Sequence, residues 1–147
     1  MKSLAKPILY FASALNFLAA MLHYLCIVWG ADGFRFMGAG RAIVKMAESG
    51  HWYPYFIAAF VGSALLITSF YALTAAKGKL HLPLHRWILA ATAAAFITRG
   101  LAFPLLKPLF PENSHTFWFI TSALCLLIGG LYAIGARLKW SALSSGF

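Results

Sequence analysis

Arg99 is the residue in this chain best placed to do chemistry. It lies within "WILAATAAAFITRGLAFPLL", Trp87–Leu106, where it is the only ionisable side chain. A guanidinium is planar, permanently charged and forked, a shape that grips a carboxylate, a phosphate or a carbonyl. An ionisable side chain carried into hydrocarbon is a functional candidate by default. Arg99 stands seven residues before Leu106 and His23 seven before Gly30. Each is therefore roughly 10 Å inside its end of an apolar run, at ~1.5 Å of helix per residue. The neighbouring runs bring Gly62, Ser63, Thr121 and Ser122 to a similar depth. The ligand-binding set expected from this layer is Arg99, His23, Ser63 and Ser122, with the aromatics Trp52, Tyr53 and Trp118 around it.

Three readings of Arg99 stand side by side. In the first its head snorkels to the interface while its stem stays in hydrocarbon. In the second one of the three acids of the chain, Asp32, Glu48 or Glu112, folds inward as counter-ion, helped by carbonyls freed near Gly100 and Pro104. In the third the guanidinium faces a cavity and holds an anionic or carbonyl-bearing ligand. His23 has its own bland alternative, a neutral imidazole hydrogen-bonded between helices.

Other chemistries find little support. His23 and Cys26 share a helix face at a spacing of three, with Met21 close by. No second pair of ligands occurs at helical spacing, so no metal site is expected. Only one apolar run contains a histidine, which leaves a haem without facing axial ligands, and no cofactor is expected. Cys26 and Cys125 differ in depth by roughly 7 Å at ~1.5 Å per residue, against a disulfide. No nucleophile elbow, metalloprotease motif or phosphate loop is present. An enzyme is the less favoured class. Lipid chemistry by a histidine or Glu48 is its only route.

The elements that position these residues are membrane spans. Of the 147 residues 62% are hydrophobic and 10% charged, more apolar surface than a soluble domain of this length can hide. The net charge of +9 sits at the ends of apolar runs and forms no stripe interleaved with aromatics, so no nucleic acid partner is expected. A span needs about 20 apolar residues. Four runs qualify: Ile8–Gly30, Tyr55–Ala76, Trp87–Leu106 and Thr116–Ala136. The first is too long for a cleaved signal peptide and reads as a retained span. The expected fold is a single all-α domain over 1–147, a four-helix transmembrane bundle with a structured, partly helical outer loop at 31–54. Lys2, Lys6, Lys77, Lys79, Arg86, Arg137 and Lys139 flank one side, and Arg35, Arg41, Lys45 and Lys107 the other. The more basic side faces the cytoplasm, which puts both termini there. The predicted location is a bacterial inner membrane.

In the outer loop Gly-Ala-Asp-Gly breaks the first span, "RAIVKMAES" forms a short amphipathic helix on the membrane surface or over the bundle, and Gly50 caps it. His51, Trp52, Tyr53 and Tyr55 form an interfacial collar. "NSHT" starts the fourth helix. The link from Lys77 to Arg86 reads as an ordinary basic loop. The small residues of "GSALL", "ATAAAF" and "LIGGLYAIGA" serve close helix packing, and Gly130–Gly135 equally suits a homo-oligomer.

"LHYLCIVWGADGFRFMGAGRAIVKMAESGHWYP" and "TRGLAFPLL", followed by "LFPENSHTFWF", resemble a group of small four-span inner-membrane proteins of Proteobacteria whose activity is uncharacterised. His23, Cys26, Gly38-Ala39-Gly40, Met46, Gly50, Tyr53-Pro54, Arg99-Gly100 and Phe117-Trp118 carry the likeness. "WGAD" departs from the GAP-like turn of that group. The resemblance implies the architecture and a bacterial origin, and no catalytic residues. The reading that follows is a small protein that binds or carries an amphipathic ligand such as a lipid, a quinone or an aromatic acid. The alternative is an accessory subunit whose loop docks a larger membrane or periplasmic partner.

Overall fold

A computed structural model describes residues 2–144. The described chain is helical throughout: α1 Lys2–Trp29, α2 Ala31–Phe36, α3 Arg41–Glu48, α4 Tyr53–Lys77, α5 His85–Leu101, α6 Phe103–Leu106, a 3-10 turn Lys107–Leu109, and α7 His115–Lys139. Among the described residues three helices are long and apolar enough to cross a membrane, within α1, α4 and α7, and only 22–28% of their most apolar windows is buried. Phe11, Phe17, Phe56, Phe60, Ile67, Phe70, Ile120 and Leu124 point outward. That surface is compatible with a multi-pass membrane protein.

The fourth apolar run is not one straight helix. His85–Leu101 and Phe103–Leu109 meet at a bend of 56°. Pro104 has no N–H for the Gly100 carbonyl, and Leu105 donates to Ala102 instead of continuing the α-helical ladder. The span expected over Trp87–Leu106 therefore breaks two residues beyond Arg99.

The loop over 31–54 is more helical than its sequence implies. Gly30 does end α1, with φ of 75°, but α2 begins at once. Asp32 in its first turn and Arg35 in its last match the helix dipole and pair with each other. Both α2 and α3 close with a left-handed glycine, Gly38 and Gly50, and the paired backbone bonds Ala39 N–H to Phe34 O and His51 N–H to Met46 O mark the Schellman geometry. The apolar face of α3 turns onto the protein, with Ala47 buried beside Cys26, Phe34 and Ala58.

The long helices pack α1 against α4 and α7, and α5 against α7 with a smaller contact to α4. The core runs through Leu9, Ala12, Ala72, Leu89, Ala93, Ile128 and Tyr132. A polar seam crosses its middle. Ser13 and Ser69 exchange hydroxyl-to-carbonyl bonds of 2.9 and 2.8 Å. Asn16 donates to Leu65 O, Thr68 Oγ1 and the Tyr132 hydroxyl, which itself donates to Thr68 O at 3.0 Å. Inside lipid, apolar side chains supply no net drive for helices to associate, so such bonds and close packing hold them.

His85 corrects the expectation of an ordinary basic link. It is buried, donating to Tyr71 O at 2.7 Å if Nε2 carries the proton, and it ties the start of α5 to α4.

The seam predicts energetic coupling between helices. Asn16→Ala is expected to cost about 1–2 kcal/mol and Tyr132→Phe about 1 kcal/mol. The double variant should lose less than the sum by about 0.6–1.7 kcal/mol, measured by reversible unfolding in mixed micelles. Strict additivity would mean that the two side chains do not share one network.

Candidate functional site

The site is built where α5 touches α7. A Cβ on Gly100 would lie 2.6 Å from Leu126 Cγ and 3.1 Å from Ser122 O, and one on Gly129 would lie 3.0 Å from Ile97 N. Backbones approach this closely only at glycine. Arg99 is thereby pinned beside α7. Its guanidinium carbon stands 5.0 Å from the centroid of the Trp118 ring, a cation–π contact. Trp118 is 3% exposed and Ser122 4%, and their spacing of four puts them on one face of α7.

Three polar atoms here are enclosed and without hydrogen-bond partners: Arg99 Nη1, Trp118 Nε1 and Ser122 Oγ. Thr121, one residue away, bonds back to Phe117 O at 2.8 Å as helical hydroxyls do. Ser122 makes no such bond. Leaving a buried hydroxyl or indole N–H unpaired costs about 1–3 kcal/mol each. Arginine and indole only donate, and serine can donate. Each of the three can therefore donate to an oxygen acceptor.

A cover lies above Trp118. The Trp118 ring packs on Phe110 at 6.2 Å and on Phe117 at 5.9 Å. A Cβ on Gly38 would strike Phe117 Cζ at 2.2 Å and one on Gly40 would meet Phe110 Cδ1 at 2.8 Å. Asn113 Nδ2 donates to Gly38 O at 3.1 Å, and Arg41 pairs with Glu112 at 3.1 Å. The Gly38–Arg41 turn is thus pressed onto the Phe110–Phe117 segment, and that segment onto Trp118.

The remaining predicted residues fall around this cluster or apart from it. Leu9 seats on Gly135, so His23, fourteen residues further along α1, is level with Thr121 and Ser122 on antiparallel α7. Gly100 puts Arg99 at that same level. No hydrogen bond joins His23 to Arg99: the His23 Nδ1–H donates to Ala19 O at 2.7 Å. Ser63 is engaged with the Tyr24 hydroxyl at 2.6 Å. Trp52, 65% exposed, and Tyr53 belong to a ring series with His51 and Phe56 that does not touch Trp118. Asp32 and Glu48 close on Arg35, and Glu112 on Arg41. Among the described residues no carboxylate reaches Arg99, because all three acids are held at the loop surface by closer arginines.

Cys26 and Cys125 are free thiols. Among the described residues no three metal-ligating side chains come together. Sequence reasoning missed Phe110 as the cover and Trp118 as the ring that receives the guanidinium. The Phe117-Trp118 pair one turn above Ser122 was the available signal. Comparison with protein-family models, curated proteins and solved structures finds no match for the chain.

Gly38 and Gly50 separate strain from cover. Both have positive φ, but nothing lies within 4 Å of a Cβ on Gly50. Gly50→Ala should cost about 1–2 kcal/mol from the left-handed backbone alone. Gly38→Ala should cost more and expose the Trp118 indole N–H to hydrogen exchange, seen as faster loss of its NMR resonance. Equal exchange in both variants would mean the turn does not cover Trp118.

Proposed function

We propose that this protein is a four-span inner-membrane protein, with both termini in the cytoplasm, that binds or carries an amphipathic ligand bearing an anionic or carbonyl oxygen. The observation that carries the reading is the trio of enclosed, partnerless donors Arg99 Nη1, Trp118 Nε1 and Ser122 Oγ. Charge-assisted bonds are about twice as strong as neutral ones, so an acceptor oxygen between these groups gains most from the guanidinium. The apolar body of a lipid, quinone or aromatic acid would lie along the outward-facing side chains of α5 and α7. The bacterial setting and the kinship with small uncharacterised proteobacterial membrane proteins belong to the same proposal.

An exposed apolar patch on the Ala42–Ala47 stretch of α3 would favour the accessory-subunit reading. Ile43 and Val44 instead pack against the Cys26–Phe34–Ala47–Ala58 cluster, which favours a cover over a docking helix. An enzymatic reading needs a histidine or Glu48 within reach of the donors. The His23 ring is turned to Ala19 and Glu48 to Arg35.

The test is mass spectrometry of small molecules retained by gently purified wild-type, Arg99→Ala and Arg99→Lys protein. A defined acceptor-bearing species should fall by about tenfold or more in Arg99→Ala and persist in part in Arg99→Lys, which keeps charge and loses the fork. The same bulk lipid in all three, with unchanged melting temperature, would overturn the proposal.

A further inference from the structure

A second arginine site lies at the opposite end of the α5–α7 pair. Below the Gly129 contact the two helices face each other with alanines: Ala90 and Ala93 on one, Ala133 and Ala136 on the other. Their methyl groups leave an open apolar trough of about 520 Å³, lined also by Arg137 and Trp140. That volume falls within the roughly 300–1,000 Å³ of small-molecule clefts.

Beside Trp140 the Arg86 guanidinium stands 5.5 Å from the Trp87 ring and 5.2 Å from the Trp140 ring, which meet edge to face at 5.3 Å. Arg86 Nε is enclosed and has no hydrogen-bond partner. Arg137 is exposed and makes no ion pair among the described residues. Lys77, Lys79 and Lys139 lie at this end as well, and Lys139 Nζ comes within 3.8 Å of a Cβ position on Gly78. The three acids all sit at the far end, on Arg35 and Arg41. An apolar trough lined at its polar end by Arg137 and Trp140, with Arg86 against that tryptophan and the acids at the far end, matches a hydrocarbon chain that ends in a phosphate. A soluble anion would leave the trough unfilled, and a zwitterionic lipid would bring its own cation to a site already rich in them.

We infer that this trough is a binding site for an anionic phospholipid, with one acyl chain on the alanines and the phosphate between Arg137 and Arg86. The site is independent of Arg99 and stands whether or not that cluster holds a ligand.

Native mass spectrometry of the full chain in a neutral detergent tests it, with phosphatidylglycerol and phosphatidylcholine of identical chains as probes. Phosphatidylglycerol adducts should exceed phosphatidylcholine adducts by about tenfold. Arg137→Gln should remove most of that preference and Arg137→Lys should keep it. Ala133→Leu, which fills the trough, should lower both adducts. Lys45→Gln, which removes an exposed charge at the far end, should leave the preference intact. Equal binding of the two lipids, no effect of Arg137→Gln, or no effect of Ala133→Leu would each overturn the assignment. So would displacement of phosphatidylglycerol by glycerol phosphate at equal concentration, since the chain would then contribute nothing.

Discussion

The Arg99–Trp118 contact and the alanine trough both depend on how α5 meets α7. Where Gly100 and Gly129 let the backbones touch, no side chain can intervene, and the residue next to Gly100 has its path fixed. Arg99 is that residue, and the path leads to Trp118. Toward the other end of the pair, where alanines face one another, the same two helices leave the trough. One helix pair thus makes a sealed contact toward the loops and an open one toward the basic end. The cause is the order of residue sizes along two helices that gain little from hydrophobicity in lipid and must rely on fit.

The electrostatics follow from where the acids are. With Asp32 and Glu48 on Arg35 and Glu112 on Arg41, the chain has no anion left for its interior. Arg99 is left with an aromatic face. A desolvated cation–π contact contributes about 2 kcal/mol, and carrying a guanidinium below the interface has a cost that grows toward the middle of a span. The unpaired Trp118 Nε1 and Ser122 Oγ add to that cost.

Much of this was legible in the sequence, though unevenly. The apolar helices could be read because about 20 consecutive apolar residues leave few alternatives, and the common level of Arg99, His23 and Ser122 could be read because helical rise is constant. The Gly50 cap and the Ser114 cap, which accepts from Phe117 N–H at 3.1 Å, are local and were equally visible. What could not be read depends on contacts distant in sequence. The Arg41–Glu112 pair spans 71 positions, and without it Glu112 stays a plausible counter-ion for Arg99. Hydropathy treats His85 as one more polar loop residue, whereas its bond to Tyr71 O buries it. The bend after Leu101 was half visible: Pro104 announces freed carbonyls, but a proline alone does not say whether a helix curves or turns by 56°.

Arg99 and Arg86 answer one physical problem in the same way. Each lays its guanidinium against tryptophan, and each keeps one enclosed nitrogen without a partner. They differ in what stands in front of them. Arg86 stands on Trp140, which lines the open trough between α5 and α7. Arg99 lies under Trp118, and Phe110 and Phe117 lie over that ring, pressed down by the Gly38–Arg41 turn. A group that reaches Arg99 from the loop end must displace two aromatic rings and the turn that holds them. The loop over 31–54, with its two capped helices, thus bears through the Gly38–Arg41 turn on the segment that packs against Trp118.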